Sequence, residues 1–433
     1  MTIHADLIIN NGTVLTEDGF QEKTVVIKGT KITALDDTSS PCGYTGKKVI
    51  DAAGKLVLPG MVNCHTHNPM VMYRGLGNDC CDIIHKVMFP LEKKFTDSKL
   101  CGIGAELTAA EMIKAGVTCF ADMYYFVDTI AEVVEKVGLR AILGETVIKY
   151  PSPDAPEPYG GIKIARQFVE KWNARCPRIT PAYAPHAPYS VEKSVYKEIA
   201  DLAAADDVPI LTHLAEIANE TPGLSPVDFL DEAGALSKRL VAAHCIHVTD
   251  ADIAKLKDSE AGIAFSILGN VKGGSPIPPI QKIHKVCQRV GLATDGPMSS
   301  NTQDIFSQMR FVGAMVKYSS RDRSALPANE IVKMATIGGA RALHMEDRIG
   351  TLTVGKEADV IIVDVDAWPT YDYNDYLVYS AFATSVRTTI VAGKILMEDR
   401  KLTTINEEAL KNEAQPLIEA IASYNDTVIK GSR

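Results

Sequence analysis

The sequence predicts an α/β fold, a (β/α)8 TIM barrel with a small β-sandwich domain built from both termini. Three observations carry this expectation. Eight short apolar runs recur through the middle of the chain, separated by helix-like or longer segments. A series of His, Asp and Glu residues falls at or just past the C-terminal ends of those runs, where a barrel gathers its active site. Both ends of the chain have a different texture, with short apolar runs joined by turn signals.

Residues 1–57 contain "ADLIINNGTVL", "KTVVIKGTKITAL" and "KKVIDAAGKLVL", whose Asn-Gly and Lys-Gly-Thr-Lys joins read as hairpins. The texture returns within 349–433, in "GTLTVGKEADVIIVDVD" and "TSVRTTIVAGKILMED", before a terminal helix. These two stretches are expected to share one sheet domain. Between them, residues 58–348 are assigned to the barrel. Its first strand is read from "KLVLPGMVNCH", and the others from "VTCFAD", "RAILGET", "RITPAYAPH", "VPILTHLAE", "RLVAAHCIH", "AGIAFSIL" and "VGLATDG". Little strict alternation within the runs fits parallel strands covered on both faces. An open doubly wound sheet shares that pattern but leaves its outer strands too far apart to build one site.

The 433 residues are 46% hydrophobic and 23% charged, enough apolar material for a substantial core. A net charge of -9 without any basic block argues against nucleic acid or an anionic membrane as partner. No basic start leads into an apolar segment, and no run approaches the roughly 18 apolar residues of a membrane helix, so a cytoplasmic protein is expected. Nine scattered cysteines without C-x-x-C pairs fit reduced thiols.

The stretch "VLPGMVNCHTHNPM" places His65 and His67 two positions apart, on one side of a strand, where both can reach one cation. A catalytic zinc takes three protein ligands and keeps a position for water. His213, ending "PILTHLAE", and Asp295, ending "GLATDG", are placed to complete the set, Asp295 as ligand or as acceptor for the water. The eighth strand of a barrel lies against the first, which brings Asp295 beside the histidine pair. Glu216 and His244 add an acid and a base, a set suited to hydrolysis at an amide-like or amidine-like carbon. His4, His85, His284 and His344 read as structural, His247 faces away from His244, and Asp122 and Glu145 read as caps or loop acceptors.

In this order, "VLPGMVNCHTH", "GVTCFADMY", "APHAPYS", "THLAE", "AAHCIH", "ATDG" and "ATIGGARAL" resemble the amidohydrolase superfamily over nearly the whole chain. The closest likeness is to its branch of 5-methylthioadenosine and S-adenosylhomocysteine deaminases, triazine hydrolases and guanine deaminases. The resemblance implies that His65, His67, His213 and Asp295 hold one divalent metal, zinc in the first instance with iron as the alternative. It implies that Glu216 shuttles a proton to a ring nitrogen, that His244 and Asp295 handle the attacking water, and that His186, Glu92 and Ser299 contact the substrate. The implied reaction is hydrolytic deamination of an adenine nucleoside of the methylthioadenosine, S-adenosylhomocysteine or adenosine type. The implied partners are that small heterocycle and further copies of the chain.

One position departs from the resemblance. Relatives acting on S-adenosylhomocysteine clamp its carboxylate with arginines from the segment before the Pro-His motif, a task suited to the guanidinium fork. Here Ile162 follows the Gly-Gly, and only Lys149, Lys163 and Arg166 are cationic there. The enzyme alternative is a hydrolase of the same fold acting on guanine, a pterin, cytosine or a halogenated triazine. Two-metal relatives use a carboxylated lysine at the end of the fourth strand, and the fourth run has none, which favours one metal and deamination. The rival from another class is a barrel that serves only as a scaffold, which would hold far less than one metal ion per chain.

Overall fold

Apolar runs without alternation need cover on both faces, and a closed ring of parallel strands wrapped in helices provides it. The computed structural model describes residues 3–37 and 43–429, and Cys42 and the chain ends lie outside them. Its parallel sheet has eight strands in sequential order: β6 (Met61–Thr66), β7 (Val117–Tyr124), β8 (Arg140–Val147), β9 (Ile179–Pro185), β10 (Ile210–Leu214), β11 (Leu240–His244), β12 (Gly262–Phe265) and β13 (Val290–Leu292). Seven are buried at every position. Several of the helices outside them are amphipathic. Val127–Val137 buries Val127, Ile130, Ala131, Val134 and Val137, then stops at Gly138, whose φ of +100° suits a residue without a Cβ.

The ring is sealed between β13 and β6 largely by side chains. The Asn63 amide donates to Thr294 Oγ1 at 2.7 Å and accepts from Thr294 N at 3.0 Å, while the Asp295 amide donates to His65 O at 3.0 Å. Gln303 accepts from Asn63, Thr66 and Thr294. Asn63→Leu therefore leaves a buried amide and hydroxyl short of partners and is expected to lower unfolding stability by about 1–3 kcal/mol, measured by urea denaturation.

The second sheet is mixed. It contains β1 (Ile3–Thr16), β2 (Gly19–Lys28), β3 (Lys31–Asp37), β4 (Tyr44–Asp51) and β5 (Lys55–Pro59) from the start of the chain. From the end come β14 (Val360–Asp364), β15 (Val386–Val391), β16 (Lys394–Glu398) and β17 (Lys401–Leu402). The two groups meet where β5 pairs antiparallel with β14 and parallel with β1. Leu7, Ile9, Val25 and Ile27 share a core with Val360, Ile362 and Ile390.

The run "KLVLPGMVNCH", read above as one strand, divides at Gly60 into β5 of the mixed sheet and β6 of the barrel. Gly60 donates to Asp359 O at 2.9 Å, and Met61 donates to Gly116 O at 3.0 Å. A Cβ on Gly60 would lie 2.0 Å from Thr118 Oγ1, so only glycine fits between the layers. A second tie is the buried Arg140 at the start of β8, whose Nε and Nη2 donate to Asp359 Oδ2 and Oδ1 at 2.9 and 3.0 Å. Among the described residues no helix is long and apolar enough to cross a membrane, and the eight cysteines are free thiols.

Candidate active site

The strand ends bring the sequence-selected histidines together. The His65 ring centroid lies 4.8 Å from those of His67 and His213. His67 Nε2 and His213 Nε2 are 3.2 Å apart. One ligand atom from each of the three residues falls within 4.8 Å of the others. Asp295 Oδ1 lies 3.5 Å from His67 Nε2 and 3.8 Å from His65 Nε2. Asp295 arrives on the sealed seam with φ +60°, and Ala215 and His244 are likewise left-handed at the ends of β10 and β11. Such conformations are uncommon for residues with a Cβ, and here they follow the strands where the site residues gather.

The hydrogen-bond partners decide which imidazole nitrogens face inward. His67 Nδ1 lies 2.6 Å from Met123 O and His213 Nδ1 2.6 Å from His186 O. A carbonyl only accepts, so each Nδ1 carries the hydrogen and each Nε2 presents a lone pair. Two such lone pairs 3.2 Å apart repel unless a cation lies between them. His65 Nε2 is buried and has no hydrogen-bond partner among the described residues. Burial and the neighbouring imidazoles hold His65 and His213 well below the usual histidine range, and burial with His67 and His244 pushes His186 down to about 3. Neutral imidazoles with convergent lone pairs and a carboxylate form a donor set that fits a divalent ion.

Glu216 and His244 stand beside that set, with Glu216 Oε1 3.8 Å from His244 Nε2. The Glu216 amide donates to Glu220 Oε2 at 2.8 Å, which fixes the backbone carrying the carboxylate. Burial raises Glu220 to about 7, opposed by that N–H. Burial disfavours charge on His244, yet the Glu216 and Asp295 carboxylates hold its imidazole above the usual range. That basicity suits a proton acceptor.

The residues assigned to substrate contact fall differently. The His186 ring is 4.7 Å from that of His213, and its Nδ1 is 2.8 Å from Ser190 Oγ. Glu92 is buried and accepts from Tyr124 OH at 2.7 Å, and the Tyr124 ring lies 6.3 Å from that of His67. Burial lifts Glu92 to about 7, against the pull of the Tyr124 hydroxyl. Ser299 sits in the turn after Asp295, donating its amide to Gly296 O, and its carbonyl accepts from Lys272 Nζ at 2.6 Å. Asp122 and Glu145 accept from the Asn68 and Val127 amides, the local role read for them above. Sequence reading missed Asn270, Glu220 and Tyr124, which support His244, Glu216 and Glu92. Their types are common and nothing in their spacing marks them.

Residues 56–396 match the family model of the amidohydrolases, a span that contains β6 to β13 and every residue of the cluster. The chain belongs to the amidohydrolase family. Among amidohydrolase relatives, a 5'-deoxyadenosine deaminase of Methanococcoides burtonii is 36% identical over 98% of this chain and 99% of its own length. A 5-methylthioadenosine/S-adenosylhomocysteine deaminase of Syntrophobacter fumaroxidans is 35% identical, covering 96% and 98%. The structure of an adenosine deaminase from Xanthomonas campestris with bound zinc superposes with a TM-score of 0.94 at 29% identity, over 98% of this chain and all of the other. A zinc-bound atrazine chlorohydrolase of Arthrobacter aurescens shares the fold, with a TM-score of 0.87 at 21% identity over 95% of this chain and all of its own.

Proposed function

We propose that this amidohydrolase is a zinc-dependent deaminase of adenine nucleosides whose 5' substituent carries no carboxylate. The observation that carries the reading is the Glu216 and His244 pair, 3.8 Å apart beside the convergent His65, His67, His213 and Asp295 set. Relatives near 35% identity named for 5'-deoxyadenosine and for 5-methylthioadenosine/S-adenosylhomocysteine deamination support adenine nucleosides as the substrate class. The four-residue set is assigned to the metal. A divalent cation there supplies the Lewis acidity that lets water ionise near neutral pH.

The chain's own groups perform the rest. His244 takes the proton released as water attacks the amine-bearing carbon, and Asp295 orients that water. Glu216 protonates the adjacent ring nitrogen, which makes the carbon electrophilic, and regains a proton from the added hydroxyl as that oxygen becomes the carbonyl. The leaving nitrogen needs a further proton before ammonia departs, and His244 returns the one it received. His186 and Glu92 are assigned to the purine and ribose sides of the substrate, and Ser299 to the rim.

The choice among nucleosides follows from the cations after β8. Lys149 Nζ donates to Tyr189 O at 2.9 Å, Ile162 packs against the core, and Lys163 and Arg166 line a groove between the helices Gly161–Trp172 and Lys193–Asp206. A carboxylate clamp contributes about 1.5–3 kcal/mol per charged hydrogen bond. Without one, kcat/KM for 5'-deoxyadenosine or methylthioadenosine is expected to exceed that for S-adenosylhomocysteine by at least about tenfold. Ammonia release by zinc-loaded protein is the measurement. Equal or faster turnover of S-adenosylhomocysteine would overturn the 5' assignment. Activity confined to guanine, pterins, cytosine or a chlorinated triazine would overturn the nucleoside reading.

A further inference from the structure

His244 ends β11 with φ +74° and is followed by Cys245 at φ +50°, an unusual pair of left-handed residues that swings the imidazole across the barrel mouth. A ring held at the end of such a turn needs an anchor on its far nitrogen. Asn270 provides one: its Oδ1 is 3.0 Å from His244 Nδ1. Asn270 is buried, in the short helix Ile267–Lys272 that follows β12. Its backbone is fixed at both ends, its amide donating to Ser266 O at 3.1 Å and its carbonyl accepting from Ser275 N at 2.9 Å. His244 Nε2 is buried without a hydrogen-bond partner among the described residues and lies toward Glu216.

We infer that Asn270 is the positioning residue of the hydrolytic step, holding His244 with Nδ1 protonated and the Nε2 lone pair facing the attacking water. This rests on the role given to His244 under the proposed function. An amide oxygen accepts but cannot donate, so it selects the tautomer in which Nε2 is bare. When water adds to the carbon, its O–H bond breaks and the proton goes to His244 Nε2. Asn270 Oδ1 then faces the N–H of an imidazolium. The one side-chain hydrogen bond of Asn270 among the described residues is to His244, so its effect on the reaction is exerted through that imidazole.

The test is an acceptor swap. In zinc-loaded protein, Asn270→Leu is expected to lower kcat by about a hundredfold with KM and zinc content unchanged. Asn270→Asp, which keeps an acceptor at the same place, is expected to stay within about tenfold of the parent kcat. Asn270→Ala takes the place of the Leu variant if the latter does not fold. Loss of activity in the Asp variant equal to that in Leu or Ala, or a loss that follows zinc content, overturns the inference. A readout independent of turnover is the nitrogen-15 spectrum of labelled histidine in the zinc-loaded protein. The Nδ1-protonated form of His244 is expected in the parent and is lost in Asn270→Leu. If no adenine nucleoside is turned over but that signature is present and lost as stated, the function reading fails while the tautomer assignment stands. If nucleosides are deaminated and the signature is absent, the inference alone fails.

Discussion

Replacing Glu216 with Gln is expected to lower kcat by about a thousandfold or more while the protein stays folded and metal-loaded. Glutamine keeps the shape of the side chain and its hydrogen-bonding reach but cannot carry a proton between water and a ring nitrogen. Glu216 lies outside the convergent set of His65, His67 and His213, so metal content is expected to be unchanged. Its backbone stays tied to Glu220, so the loop has no cause to move. Metal analysis, circular dichroism and ammonia release on one preparation check all three statements. Unchanged turnover would remove Glu216 from the chemistry, and loss of metal would move it into the ligand set.

The second large effect concerns stability. Arg140→Met is expected to cost about 3–5 kcal/mol, because it leaves the buried Asp359 carboxylate without its cation. The Asp359 Oδ1 accepts from Ala392 N at 2.8 Å, which does not replace a bidentate guanidinium. Removing both charges, as in Arg140→Met with Asp359→Leu, is expected to recover most of the loss, since a buried pair contributes little net stability over an apolar replacement. Arg140 opens β8 and the site lies beyond the other ends of the strands, so kcat is expected to hold in both variants at a temperature where they remain folded. Urea unfolding with parallel assays measures this. A single variant as stable as the parent would show that the pair is not a tie between the two sheets.

The barrel was legible because its strands are mostly apolar and because His65, His67, His213, His244 and Asp295 all stop at the same end of their runs. That placement follows from local sequence, with periodicity giving the strand and the polar residue its end. Contacts that depend on how distant strands meet were not legible. The Asn63 amide serves in place of a backbone ladder at the seam, and only Thr294 opposite makes it do so. The hydrogen on His213 Nδ1 is set by the carbonyl of His186, just past the end of β9, and the hold on His244 by Asn270, in the helix that follows β12. The run beginning at Lys55 hid its division because its apolar character continues past Pro59 and Gly60, which mark the passage between two sheets.

That passage makes the mixed sheet a ruler for the site. The pairing of β5 with β14 sets Val57 opposite Ile362 and Pro59 opposite Val360, and from there a single residue, Gly60, leads into β6. Side chains alternate along a strand, so a slip of one place in that distant pairing would turn Cys64 and Thr66 toward the centre of the site and His65 and His67 away from it. The alignment of His65 and His67 is thus measured out in the mixed sheet, and under the metal assignment proposed above a substitution that loosens β14 is expected to lower metal affinity.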